Sequence, residues 1–150
     1  MMGGDMDGLV FRHASTTDDP ALRALLQSVK LPFEDVASER QDFIVALWQG
    51  RLVGCVALER FEGVALLRSL AVVESQRGSG VGRELYDRAL ARALELGLGR
   101  LFLLTTTAAP FFERRGFRHV DRSQAPEAVW RSPQFASLCP ATAACLALSL

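Results

Sequence analysis

The sequence predicts an α/β (α+β) protein, a mixed sheet with helices on both faces, folded as one domain over residues 1–150. Three observations predict it. Apolar runs of strand length recur between turn residues. Segments with apolar residues three and four apart, the helical spacing, alternate with those runs. One stretch, 64–97, sets an apolar run, a cluster of glycines and an amphipathic helix in direct succession. With 150 residues, 49% of them hydrophobic and 23% charged, the chain is long enough for a sizeable core, and residues 1–7 read as a disordered tail.

Leu9–Ala14 reads as the first strand. Thr17-Asp18-Asp19-Pro20 then gives helix-start chemistry, since proline at the first helical position loses no hydrogen bond. The helix covers Ala21–Val29, with Leu22, Leu25, Leu26 and Val29 inward. Leu31-Pro32-Phe33 breaks it, and Glu34–Arg40 reads as a short second helix. Strands Phe43–Trp48 and Leu52–Phe61 join at Gln49-Gly50-Arg51, and Glu62-Gly63 turns into strand Val64–Val72. The main helix opens at Val81, buries Val81, Leu85, Ala89, Ala93 and Leu96, and stops at Gly97. Arg83 with Asp87, and Glu84 with Arg88, are opposite charges four apart on its outer side. Arg100–Thr106 is a strand, Ala108–Arg115 a helix ended by Gly116, and Phe117–Asp121 a strand. Ser123–Pro140 is punctuated by proline, and Thr142–Leu150 is the last strand.

Arg77-Gly78-Ser79-Gly80-Val81-Gly82 joins the central strand to the main helix. The first N–H groups of a helix lack intrahelical partners and carry the positive end of its dipole. Glycines let a phosphate approach the backbone, and Arg77 adds a planar donor fork. The loop lacks the Gly-Lys-Ser/Thr of a P-loop, the only lysine being Lys30, and the dinucleotide fingerprint would need glycine at Arg83. It does carry Arg77-x-x-Gly80-x-Gly82 after Leu70-Ala71-Val72.

That order resembles the acetyl-CoA site of the GCN5-related N-acetyltransferases, the GNAT superfamily, and the element order resembles theirs end to end. The resemblance implies a mixed, mostly antiparallel sheet of about seven strands whose middle strands splay. It implies acetyl-CoA (CoA) as cofactor, its arm pairing with the backbones of Leu70, Ala71 and Val72 as an added strand would. By the same resemblance the loop residues Arg77, Gly78, Ser79, Gly80, Val81, Gly82 and Arg83 are expected to take the phosphates, and Thr105, Phe111 and Phe112 to flank the arm. Three positions depart from the family pattern. Threonine (Thr105) stands where asparagine is usual, and Phe112 stands where a tyrosine often protonates the departing thiolate. A frequent strand glutamate is replaced by Leu66.

An alkyl amine with pKa near 10.4 is only about 0.04% neutral at pH 7, so a base is expected. Glu34, Cys139 and Ser69 are the catalytic candidates. Glu34, Arg68, Ser69 and Thr106 are the substrate-binding candidates, Arg68 as a fork for a carboxylate. Asp35, Glu59, His13 and His119 are weaker ones. Each has a plain alternative: a solvated helix start for Glu34, a surface arginine, a buried hydrophobe for Cys139, a strand end for the threonines. Segments 31–35, 66–72, 103–108 and 135–140 are similar to the GNAT branch associated with arsenic-resistance operons and to the acetyltransferase domain of N-acetylglutamate synthases. Those branches imply a small acidic acceptor with an α-amino group: an amino acid, glutamate, or a glutamate-like phosphinic or arsonic compound. The competing reading is a non-catalytic acyl-CoA sensor.

Seventeen basic residues balance seventeen acidic ones, which argues against nucleic acid or an anionic membrane as partner. Cys55, Cys139 and Cys145 lack metal spacing, and His13 and His119 do not complete a set, so no metal is expected. A cytoplasmic enzyme with a small-molecule amine substrate is expected, and a homodimer paired through the C-terminal half is implied by the resemblance.

Overall fold

The computed structural model of the chain describes residues 8–132 and 143–150. Seven strands form one sheet: β1 (Leu9–His13), β2 (Gln41–Trp48), β3 (Arg51–Arg60), β4 (Val64–Val72), β5 (Arg100–Thr105), β6 (Arg118–His119) and β7 (Ala144–Ser149). Their spatial order is β1-β2-β3-β4-β5-β7-β6. Only β4 and β5 are parallel; the other neighbours are antiparallel. The helices are α1 (Asp19–Ser28), α2 (Val81–Glu95), α3 (Ala109–Glu113) and α4 (Glu127–Trp130).

Successive strand side chains face opposite ways, so each strand feeds two layers. Ile44, Ala46, Val56, Leu58, Ala65, Leu67, Leu101 and Leu103 pack with Val81, Leu85, Ala89 and Ala93 of α2. On the opposite face Phe43, Val45, Cys55 and Ala57 pack with Leu22, Leu25 and Leu26 of α1. Beside them Leu66, Phe102 and Cys145 pack with Val129 of α4. Gly54 lets α2 approach the sheet, because a Cβ there would sit 3.0 Å from a Leu85 methyl and 3.2 Å from both Val81 Cγ1 and the Ala71 carbonyl oxygen. The start of α1 is pinned by Asp18, whose carboxylate accepts from the Ser15 N–H at 2.8 Å and from Arg12 at 2.8 and 3.1 Å.

Three expected elements differ. Residues 34–40 form turns, not a helix: after Pro32 the segment holds a single buried apolar residue, Val36, and its Asp35 side chain is drawn inward by Arg68. The proline-rich stretch contains α4, seated by Val129 behind Pro126. The strand expected over Phe117–Asp121 shrinks to two paired residues at the sheet edge. Thr142 lies outside the described residues, and β7 begins at Ala144.

Candidate active site

β4 and β5 pair only through Val64, Ala65 and Leu66 with Arg100, Leu101 and Phe102. Beyond that point they part, although β4 continues to Val72 and β5 to Thr105. The expected splay is therefore present. A cleft of about 340 Å³ opens there, walled by residues 67–70 of β4 and by residues 103–108, with Phe112, Ala143 and residues 30–32 completing it. This brings Arg68, Ser69, Leu70, Thr105, Thr106 and Phe112 together.

The β4 wall is bent. Across the β3–β4 ladder, Cys55 faces Ala71 and Ala57 faces Arg68, so Ser69 and Leu70 share the single residue Val56. This is a β-bulge, a device that turns one strand's backbone away from its ladder. Ser69 sits at φ +60°, a left-handed conformation that non-glycine residues seldom take. Two contacts hold it there: the Cys55 thiol donates to the Ser69 carbonyl at 3.2 Å, and Arg68 Nε donates to Ser69 Oγ at 3.2 Å.

Arg68 is not the free carboxylate fork that the sequence suggests. Its side chain is 1% exposed, and its Nη1 donates to Asp35 Oδ2 at 2.7 Å and to Glu59 Oε1 at 2.9 Å. Its Nη2 donates to Asp35 Oδ1 at 2.9 Å. With the bond to Ser69, four of its five N–H groups are committed, and two carboxylates outweigh its charge. The sequence carries a signal for this cluster: Arg68 stands inside the apolar run of β4, Glu59 ends the apolar run of β3, and a buried charge needs a partner. Glu34, by contrast, is exposed in a depression beside the cleft, where its carboxylate accepts from the Phe33 N–H at 3.2 Å. Among the described residues Lys30 lines both hollows, and its ammonium has no ion pair there.

The glycine loop caps α2 as expected. Gly80 is the N-cap residue at φ +92° and Gly78 has φ +82°. A Cβ at Gly78 would meet nothing within 4 Å, and one at Gly82 only a Val72 methyl at 3.7 Å, so the backbone is open to a ligand. Arg77 is exposed; its Nε donates to the Val72 carbonyl at 3.1 Å, and its outer nitrogens have no partner among the described residues. Ser79 donates to the Gln76 carbonyl and Val81 is buried in the α2 face, whereas Arg83 is exposed. The donor set, a free arginine fork beside an unobstructed helix start, fits a pyrophosphate.

Thr105 Oγ1 accepts from the N–H groups of Ala108 at 2.9 Å and Thr107 at 3.3 Å, which shapes the turn into α3. Phe112 is buried among Phe111, Phe117 and Tyr86. Phe111 lies under Arg115, whose guanidinium carbon is 3.6 Å from the ring centre, and does not line the cleft. Cys139 lies outside the described residues. His119 pairs with Glu113 at 2.8 Å on the surface, and His13 faces Asp42 at 3.6 Å, both away from the cleft. Among the described residues no group of acidic, histidine and cysteine side chains could hold a metal, and no helix is long and apolar enough to cross a membrane.

Residues 12–117 match the Acetyltransferase (GNAT) family. The chain belongs to the GNAT acetyltransferases. This acetyltransferase is 34% identical over 142 residues to an uncharacterized N-acetyltransferase of Chlorobaculum tepidum, covering 89% of each chain. It is 31% identical to an amino-acid acetyltransferase of Mycobacterium tuberculosis, over 75% of this chain and 70% of that one. Among solved structures it resembles the Neisseria gonorrhoeae N-acetylglutamate synthase complexed with coenzyme A and N-acetyl-glutamate, at 25% identity and TM-score 0.80. It covers 95% of this chain but 35% of that synthase. A Mycobacterium tuberculosis protein in complex with CoA gives 28% identity and TM-score 0.78, over 94% and 99% of the chains. Acetyl-CoA is the donor that this family membership assigns, and the molecule is an acyltransferase.

Proposed function

We propose that the acetyltransferase acetylates the amino group of a small acceptor that also carries a carboxylate, an amino acid or a glutamate-like compound, by direct transfer in a ternary complex. The observation that carries this reading is the cleft where β4 and β5 part, with Ser69 and Leu70 on one wall and Thr105 and Thr106 on the other. A volume near 340 Å³ is at the small end of ligand pockets and suits a thioester and a compact amine. The amino-acid acetyltransferase relatives support the same class.

Acetyl-CoA supplies an acetyl group activated as a thioester. The residues of this chain bring the partners together and stabilise developing negative charge, which is where catalysis by such a site resides. Leu70, Ala71 and Val72 hold the arm through backbone groups; Arg77 and the first turn of α2 hold the phosphates. Lys30 is the cation left to meet an acceptor carboxylate, since Arg68 is engaged by Asp35 and Glu59. Glu34 receives the amine's proton through water, Ser69 and Thr106 orient the acceptor, and Cys139 is a further catalytic candidate. Phe112 has no proton to give, so solvent protonates the leaving thiolate. Glutamate-like phosphinic and arsonic compounds belong to the acceptor class, and pairing of two copies through the C-terminal half completes the proposal.

Calorimetry with acetyl-CoA, beside CoA release measured over amino acids and their carboxylate-free amines, tests the reading. Carboxylate-bearing acceptors should be preferred, and Lys30→Met should raise their KM about five- to tenfold, the loss of one partly exposed charge contact, while leaving the carboxylate-free amines within about twofold. Tight acetyl-CoA binding with no release for any amine would make the molecule a sensor instead.

A further inference from the structure

We infer that Arg68 is a positioning residue: with Asp35 and Glu59 it forms a buried clasp that ties the acceptor side of the cleft to the bulge at Ser69 and holds the Leu70 backbone in place. This rests on the transfer reading above, in which that backbone holds the acetyl-CoA arm beside the acceptor. The clasp has three attachment points. Asp35 lies on the turn that follows Leu31 and Pro32, two residues lining the cleft. Glu59 lies on β3, opposite Leu66, where β4 and β5 are still paired. Ser69 is the strained residue itself, reached by Arg68 Nε at 3.2 Å. Gln41 Nε2 adds a fourth contact, donating to Asp35 Oδ2 at 3.2 Å.

Stability alone is a poor reason for such a cluster. A buried arginine between two carboxylates keeps a net negative charge out of water, and apolar residues often replace buried ion pairs without loss. What an apolar residue cannot do is reach Ser69 Oγ and hold a left-handed serine. Backbone strain at a site persists where surrounding contacts over-determine it. Ser69 has the Cys55 thiol on its carbonyl and the Arg68 fork on its hydroxyl, so releasing the fork lets the residue relax toward extended backbone and turns the Leu70 N–H with it.

A double-mutant cycle on Arg68→Met and Ser69→Gly tests the clasp, because glycine holds φ +60° without help. In the wild-type background Arg68→Met should lower kcat about tenfold or more, with acetyl-CoA affinity within about threefold. In the Ser69→Gly background the same change should cost at most about twofold. Hydrogen exchange at Leu70 and Ala71 should quicken in Arg68→Met and slow again in the double variant. Additive losses, or unchanged exchange at Leu70 and Ala71 in Arg68→Met, overturn the clasp. If Arg68→Met does not fold, Asp35→Asn takes its place in the cycle, with the same direction expected. Should the wild type release CoA to no amine, the transfer reading fails by itself, and the exchange arm still decides whether Arg68 holds the bulge.

Discussion

Cys55 and Gly54 are neighbours on β3 whose small size serves two different ends. Burial pushes the Cys55 thiol up to about 12, whereas an unfolded cysteine titrates near 8.5. Between those values the folded chain keeps a proton that the unfolded chain gives up. Stability is therefore fully present below about pH 8.5 and falls as pH rises toward about 12. Urea midpoints at pH 7 and at about 10 should show that fall, and Cys55→Ala should reduce its slope while lowering the starting value through the lost bond to Ser69. Cys145, whose thiol burial also raises, adds to the fall and leaves some slope in the variant. Gly54 answers to packing. Its missing Cβ leaves room for Leu85, Val81 and the Ala71 carbonyl, and the carbonyl cannot step aside. Gly54→Val should cost about 1–3 kcal/mol in denaturant unfolding, a typical penalty for overpacking. Neither role can be read from the sequence around it, because a glycine or cysteine inside an apolar strand carries no local mark of what packs above it. Arg68 shows the reverse: its charge in Val64–Val72 is conspicuous in the sequence, yet only the fold brings Asp35 to it.

At the scale of elements, the most legible part of the chain was the strand, glycine loop and helix over 64–97, since every local rule there agrees. The apolar run, the left-handed glycines and the 3.6-residue spacing specify one another without distant contacts. Residues 34–40 imitate a helix in sequence because short-range chemistry underdetermines them. Their acidic start imitates a helix cap, while the fate of Asp35 depends on an arginine thirty-three residues away. The bulge in β4 was hidden for a related cause: its left-handed residue is a serine, and serine gives no signal of positive φ. The α2 start offers an element-scale prediction. Gly80 holds the N-cap at φ +92°, so Gly80→Ala must either strain that cap or move it. It should cost about 1 kcal/mol in thermal unfolding and weaken acetyl-CoA binding about tenfold by calorimetry. Unchanged affinity would mean that the phosphates rest elsewhere.

The whole molecule is a sheet nearly divided at its centre. Strands β1 to β4 form one ladder and β5 to β7 another, and between them the ladder is continuous only through the pairs Val64–Arg100, Ala65–Leu101 and Leu66–Phe102. The hydrophobic layer under α2 spans the division, which keeps the two parts together on that face. Past Leu66 the β5-side edge of β4 has no strand partner among the described residues, and a ligand arm lying there would supply a neighbour for both strands. Acetyl-CoA should then stabilise the sheet as a unit: at a hundred times Kd, binding to the folded state alone is worth about 2.7 kcal/mol. The melting temperature should rise steadily with the logarithm of acetyl-CoA concentration, and less so in Arg77→Ala. Hydrogen exchange should slow along 67–72 and along 103–105 together, since an arm seated in the gap faces both. If protection were confined to residues 77–83, the ligand would be held by its phosphates alone, and the gap between β4 and β5 would not be where acyl transfer takes place.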